Sequence, residues 1–504
     1  MQIGKYILAL DEGTTSARAI LFNVFGGIAG MGQREFHQYY PQPGYVEHDA
    51  VEILEAQLYS IREAVAQAGV RAEDIAAIGI TNQRETAVAW DSVTGVPICN
   101  AIVWQCRRTA PECEKLKEEG LSDYIYDTTG LRIDAYFSAT KMKWMMDNVP
   151  EARELASKGR LRFGTIDTWL VYSLTDGQAY VTDVSNASRT MLFNIHQLCW
   201  DERLLEKFGI PRSALPQVVE SSGIVGMCQS PVLGSEIPIA GIAGDQSAAL
   251  FGQCCFEPGM LKNTYGTGCF TLMNTGARPV KSSHGLLTTI GWKIDGKVTY
   301  ALEGSAFHAG SAIDWMRDGL KMFTEAHEAD LLAESVEDSG GVLFVPAFTG
   351  LGAPYWDMYA RGVFVGLTRG TTYAHIARAV LESIAFESSD LFECMQSDFG
   401  EPIRELRVDG GVCKSKFIMQ FQADLIRCAV YRPACIETTA MGAAMLAGLA
   451  VGMWESFEEL NGLWKVQAEF LPSEGENHSK KLMTRWHRAV ERSRAWACFD
   501  EESE

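Results

Sequence analysis

From residue 49 onward, apolar side chains return every three or four positions, at Val51, Leu54, Leu58, Ile61 and Val65. That spacing places them on one face of a helix. Asp49 and Glu52 have the spacing of a capping box, and Gly69 offers the left-handed residue that often closes a helix, so an amphipathic helix is predicted between them. Elsewhere the pattern is one of short apolar runs broken by turn residues. Residues 6–10 form such a run, the segment EGTTS follows, and residues 19–22 are apolar again, which predicts strand, tight turn, strand. Residues 75–80 and 237–242 read as further strands. They end in the polar segments TNQRET and GDQ, the latter followed by a helical AALFG. Polar residues at strand ends are where open α/β sheets place their chemistry.

The same grammar restarts at KNTYGTGCFTLMN, where a Gly-Thr turn again separates two β-rich runs, and strand-helix alternation continues to Trp454. Two related α/β lobes are therefore expected, residues 1–253 and 254–454. A charged helical tail, residues 455–504, is expected to pack on the second. The longest weakly polar stretch, residues 440–454, is shorter than the ~20 residues a membrane span needs and is rich in Ala and Gly. It reads as a closely packed interior helix. The start, MQIGKYILALDEGTT, resembles neither a signal peptide nor an anchor.

With 504 residues, 47% hydrophobic and 21% charged, the chain has the balance of a globular protein large enough for two lobes and a cleft. The net charge of -20 argues against nucleic acid or an anionic membrane as partner. It does not exclude a nucleotide, because backbone N–H groups and a divalent cation hold phosphate locally. Thirteen cysteines, an odd number without a C-x-x-C pair, read as reduced thiols and a cytoplasmic location.

Three loops, residues 11–16, 264–268 and 409–411, have the composition of phosphate cradles: glycines allow close backbone approach and hydroxyls add donors. A single Gly-Thr turn is more often structural. Three after three strands are not. The chain has neither a G-x-x-x-x-G-K-[ST] loop nor the protein-kinase signatures, so the nucleotide site needs another architecture.

The run YFSATKMKWMMDN at residues 136–148 and the run GVFVGLTRGTTYAHIARAVLE at residues 362–382 resemble the two signatures of the FGGY carbohydrate kinases. The resemblance implies an actin-like fold of two ribonuclease-H-type lobes with ATP and substrate in the cleft. TNQRET, WQCRRT, SNASRTMLFN, GIAGDQ, NTYGTGCF and VPAFTGLGAPYWD resemble the branch of that family that phosphorylates glycerol to sn-glycerol 3-phosphate. Another polyol or short sugar on the same frame, or an ATP-binding actin-like protein without turnover, remain the alternatives.

The resemblance implies a polyol pocket of Arg84, Glu85, Trp104, Tyr136, Asp245, Gln246 and Phe270. Beside it stands a physical reading: Arg84 and Glu85 offer donors and acceptors that suit a vicinal diol, and the aromatics would face its carbon backbone. Taken alone, Arg84-Glu85 would be a solvated charge pair, the aromatics core residues and Asp245 a helix cap. Asp245 is implied as general base. Asp11, through water, and Asp245 are implied at Mg²⁺. Thr14, Thr15, Ser16, Arg18 and Thr267 resemble the triphosphate contacts. Gly310, Asp314, Gly411 and Ser415 resemble those around the adenosine. Glu12 stands where the family commonly has Gln, Asp314 likewise, and Ser415 where Asn is common. The segment MCQSPVLGSEIPI lacks the loop that binds fructose 1,6-bisphosphate and the phosphorylatable His of some relatives, so neither regulation is expected. A homo-oligomer, dimer or tetramer, is expected only by analogy.

Overall fold

The computed structural model describes residues 5–499. Strands β1 (Tyr6–Glu12) and β2 (Ser16–Asn23) pair antiparallel around the turn at Gly13, Thr14 and Thr15, and β3 (Ile28–Glu35) extends the hairpin. Helix α1 (Ala50–Ala68) starts where Asp49 accepts the Val51 amide at 2.8 Å and stops at Gly69, whose φ is 63°. The capping box does not close, because Glu52 takes the Tyr39 hydroxyl at 2.8 Å instead. The predicted stripe forms only part of the buried face. Ile61 is buried and Leu54, Leu58 and Val65 pack partly covered against the core, but Val51 is 43% exposed, and Ile53, Ala56, Ser60 and Ala64 are buried as well. The cause is close approach by β3: a Cβ on Gly30 or Gly32 would lie 2.3 or 2.2 Å from the carbonyl oxygens of Ala64 and Ser60. Only small helix residues fit there.

Next along the chain come β4 (Ile75–Asn82), α2 (Ser138–Asn148), β5 (Ser222–Cys228), β6 (Ile237–Gly244) and α3 (Asp245–Gly252). The first sheet has the order β5-β6-β4-β1-β2-β3. β4 is parallel to both β1 and β6, and β5 is antiparallel to β6.

The second half builds β7 (Met260–Tyr265), β8 (Cys269–Gly276), β9 (Leu287–Ile294), β10 (Lys297–Ala306), α4 (Gly310–Asp314) and α5 (Tyr373–Phe399). It continues with β11 (Glu405–Asp409), α6 (Lys416–Ile426), β12 (Val430–Pro433), α7 (Thr438–Ala450), β13 (Val466–Phe470) and α8 (Glu476–Ser493). Its sheet runs β9-β10-β8-β7-β11-β12-β13. Apart from β9, this repeats the first sheet strand for strand. β10-β8-β7 are antiparallel like β3-β2-β1, β11 and β12 add in parallel like β4 and β6, and β13 closes antiparallel like β5.

Helix α7 belongs to the second half by sequence yet lies against the first sheet. Added Cβ atoms on Gly79 of β4 and Gly241 of β6 would meet its backbone at 2.1 and 2.5 Å, and one on its own Gly442 would stand 1.9 Å from the Ala248 oxygen of α3. This is the closely packed interior helix expected from the Ala- and Gly-rich stretch. It lies in a core shared by Ile7, Ala9 and Ala77 of the first sheet and Leu272 and Ala301 of the second.

The tail departs from the helical expectation. Residues 466–470, VQAEF, form edge strand β13, as their alternation of side chains favours. The following α8 buries Trp486 against Phe386 of α5, with ring planes 8° apart. Asp390 of α5 secures it, accepting from Trp486 Nε1 at 2.7 Å and pairing with His487 at 2.9 Å. Among the described residues no helix is long and apolar enough to cross a membrane.

Candidate active site

β4 ends in a loop that turns Gln83, Arg84 and Glu85 inward. Both charged residues are buried, at 3% and 1% exposure, which removes the solvated-pair reading. Glu85 adopts φ 61°, a costly backbone for a residue with a side chain. Across from this loop β6 ends at Gly244, where a Cβ would lie 2.6 Å from Arg84 Cγ. Only glycine lets the arginine pass. Asp245 is then the first residue of α3, with Gly244 as its cap residue. Its carboxylate accepts the Gln246 amide at 2.7 Å and lies 2.9 Å from Arg84 Nε. With 34% of the side chain exposed it opens to the cleft, while Arg84 does not.

A buried charge cluster holds these groups. Glu303 of β10 accepts from Arg84 Nη1 at 2.6 Å and Nη2 at 2.9 Å, and from Arg189 Nη2 at 3.0 Å. Arg189 Nε donates to Glu85 at 2.6 Å. Burial pushes the Glu303 carboxyl up, but the charges of Arg189 and Arg84 outweigh it and hold its pKa at about 2. Burial dominates at Glu85 and raises its pKa against the same two arginines. Arg189 stacks 5.5 Å from the Tyr136 ring, against which the Trp104 ring also packs at 5.5 Å. Lys141 fixes the backbone behind Tyr136 by donating to the carbonyls of Ala135, Tyr136 and Phe137. Lys262 of β7 bonds the Gln246 amide oxygen, and Phe270 O at 3.2 Å. Thus Arg84, Glu85, Trp104, Tyr136, Asp245, Gln246 and Phe270 all fall in one region.

The first of the three glycine-containing loops adjoins it. Trp104 Nε1 donates to Thr14 Oγ1 at 3.0 Å. Thr15 is exposed, while Ser16 accepts from Gln33 at 3.0 Å. Arg18 bridges Asp11 and Glu437, each at 2.9 Å. The second and third loops meet at Gly310, where a Cβ would be 2.8 Å from Gly266 O and 3.5 Å from the Val412 side chain. Thr267 and Gly411 flank that point. Asp314 lies at the end of α4, paired with Arg317 at 2.9 Å, and Ser415 caps α6 while donating to Asp330 at 2.8 Å. Those two side chains are engaged within the protein.

The N-terminal-domain pattern of the FGGY family of carbohydrate kinases matches residues 6–252 and its C-terminal-domain pattern matches residues 261–451. The chain belongs to the FGGY family of carbohydrate kinases. It is 58% identical to glycerol kinase 2 of Thermotoga maritima over 492 residues, 98% of this chain and 99% of that protein. Identity to the glycerol kinase of Symbiobacterium thermophilum is also 58%, with the same coverage. Plasmodium falciparum glycerol kinase, crystallised with ADP, superposes with a TM-score of 0.92 at 37% identity, covering 97% of this chain and 98% of that one. Gluconate kinase of Lactobacillus acidophilus, at 22% identity and TM-score 0.85, shares the fold.

In this FGGY kinase four buried groups at the site escape sequence reasoning: Arg189, Glu303, Lys262 and Lys141. Arg189 and Lys141 lie within the quoted runs SNASRTMLFN and YFSATKMKWMMDN, so motif membership was the available signal. Lys262 likewise opens the run KNTYGTGCFTLMN, and Glu303 alone carried none.

Glu12 is fully buried beside Asp11, with one oxygen 3.2 Å from Gln83 Nε2 and the other unpartnered among the described residues. Burial raises its pKa well above the ordinary carboxylate value. A raised folded-state pKa favours folding below the unfolded pKa, and that advantage is lost as pH rises toward the folded one. Glu12→Gln should therefore leave this FGGY kinase near wild-type stability at pH 4.5. Its advantage should grow above that by up to ~1.4 kcal/mol per pH unit. Denaturant midpoints measured at intervals from pH 5 to 8 check this, and a gap that does not widen would remove the buried-carboxyl account.

Proposed function

We infer that this FGGY kinase phosphorylates glycerol with ATP, yielding ADP and sn-glycerol 3-phosphate. The observation that carries the reading is the disposition of Arg84. Of its five N–H groups, Glu303 takes two. Nε lies 2.9 Å from Asp245 and 4.0 Å from Glu85, which leaves one N–H on each terminal nitrogen for a ligand. A small triol needs such fixed donors and acceptors, because it has little area to bury. The relatives named glycerol kinase at 58% identity support the same substrate.

On this reading Asp245 takes the proton from the attacking hydroxyl, and Arg84, Glu85 and Gln246 hold the hydroxyls in line with it. Trp104 fixes Thr14, which with Thr15, Ser16, Arg18 and Thr267 receives the phosphates. Gly310 and Gly411 leave flat backbone for the adenosine, with Asp314 and Ser415 at its margin. Asp11 and Asp245 fit a hard cation such as Mg²⁺: both are carboxylates, and burial, with smaller contributions from the negative charges of Glu437 and Asp245, raises the Asp11 pKa against the opposing charge of Arg18. Bound there, Mg²⁺ would supply charge neutralisation for the phosphoryl oxygens. A cytoplasmic location fits the unpaired cysteines among the described residues. A homo-oligomer is kept from analogy.

In a coupled ADP-release assay across glycerol, dihydroxyacetone, erythritol, xylulose and gluconate, glycerol should have the highest kcat/KM. Poor substrates should trail by up to ~10⁴ where buried polar groups lose partners. Xylulose or gluconate as best substrate would overturn the reading and leave the family intact.

A further inference from the structure

The polyol pocket draws mainly on the first half of the chain; the second half adds Phe270, Lys262 behind Gln246, and one buried acid. Glu303 lies on β10 of the second sheet, paired with Leu272 of β8 and Leu287 of β9, and it is 2% exposed. Its two oxygens receive three N–H groups from two arginines of the other half, Arg84 and Arg189. The remaining acids against those arginines are Glu85 and Asp245.

We propose that Glu303 is a positioning residue for the reaction: it fixes the Arg84 guanidinium so that its free edge faces the polyol and Asp245 is left available as base. The inference rests on the glycerol reading above. Its physical basis is the geometry of the fork. A carboxylate across Nη1 and Nη2 sets the plane and rotation of a guanidinium, as two parallel hydrogen bonds do. Without it, two guanidinium groups would share the two acids that remain. Arg84, already 2.9 Å from Asp245 through Nε, would turn its outer edge onto that carboxylate and occupy the oxygens that must accept a hydroxyl proton. Glu303 thus keeps arginine and base from closing on each other. Because it comes from β10, the pocket is correctly set only when the second sheet is docked on the first. Polyol recognition is thereby tied to the position of the half that carries Thr267, Gly310 and Gly411. Arg189 serves the same end from the other side. It holds Glu85 by Nε, Glu303 by Nη2, and stacks on Tyr136, while its Nη1 has no partner among the described residues.

The test compares Glu303→Gln and Glu303→Asp with wild type. It uses calorimetric Kd for glycerol and for ADP, kcat and KM from the coupled assay, and the thermal midpoint. Glu303→Gln should weaken glycerol binding by about 100-fold, the scale of losing one partner of a buried charge pair, and raise KM and lower kcat, while ADP Kd stays within about twofold. Glu303→Asp keeps the charge and should recover at least about tenfold of the glycerol loss. Glycerol affinity within about threefold of wild type in Glu303→Gln would overturn the proposal, since the expected loss is far larger. Equal weakening of glycerol and ADP, or no recovery in Glu303→Asp, would also overturn it. If Glu303→Gln does not fold, Glu303→Asp decides alone: selective loss of glycerol supports positioning, and parallel loss of both ligands refutes it. Wild type assayed alongside separates the two claims. If it does not phosphorylate glycerol, the functional reading fails, and the best substrate of the panel replaces glycerol in the same comparison.

Discussion

Asp245→Asn is expected to lower kcat by ~10²–10⁴, roughly 3–5 kcal/mol of barrier, in a protein that remains folded. The amide keeps an oxygen that can accept the Gln246 N–H, now made at 2.7 Å, and face Arg84 Nε, now at 2.9 Å. It cannot take up the hydroxyl proton. Glycerol Kd by calorimetry should change much less than kcat, because the amide still offers a hydrogen-bonding oxygen. The thermal midpoint should stay near wild type, since the cap position belongs to Gly244 and Asn is well tolerated at a helix start. A folded variant with unimpaired kcat would remove Asp245 from the chemistry. Loss of charge beside Arg84 and Arg189 also makes the cluster more positive, so substrate binding and turnover are measured on the same preparation.

The second large effect concerns stability. Gly442→Ala should cost at least about 3 kcal/mol, at the upper end of overpacking. The added methyl would sit 1.9 Å from the Ala248 oxygen, 2.6 Å from its carbon and 3.0 Å from the Gly252 nitrogen. All three are backbone atoms, so no side chain can move aside. The partner helix α3 begins with Asp245, so displacement there should depress activity as well as the denaturation midpoint. Gly462→Ala is the control, with nothing within 4 Å of its added Cβ and no positive φ. Because Gly462 lies in the helix Phe457–Leu463, the variant should be as stable as wild type or up to about 1 kcal/mol more so. Equal midpoints for the two variants would show that α7 and α3 have room to separate.

Much of the frame was legible because its signals are local. The Gly-Thr turns, the apolar runs and the polar strand ends are properties of a few adjacent residues, and the repeat of the hairpin at residue 260 foretold the second sheet. Helix α1 was located by Asp49 and Gly69, but its buried face only in part: Ile61 of the apolar stripe is buried, while the close approach of Gly30 and Gly32 brings Ser60 and Ala64 into the contact. That choice depends on how near another strand comes, which spacing along one segment cannot encode. The edge strand at residues 466–470 was hidden in a charged tail for a similar reason, since it is completed by β12. At the site, residues within recognisable runs were named. Glu303 stands in the ordinary strand segment KVTYALEGSA, and only the fold shows that its side chain meets two arginines more than a hundred residues away.

The placement of α7 bears on how the protein is made. The first sheet is complete in strands by residue 244, yet the backbones of Gly79 and Gly241 meet Ala443 and Ala447, and Ser222 Oγ donates to Leu446 O at 2.8 Å. Its face is therefore covered only after residues near 450 have been synthesised. At 5–20 residues per second, the roughly 200 residues between α3 and the end of α7 occupy about 10–40 s of translation. During that interval the first sheet has its strands and lacks its lid. The amino-terminal half therefore cannot complete its core ahead of the rest, although early folding of the first half is the usual order for a chain with two lobes, and the uncovered face is open to aggregation meanwhile.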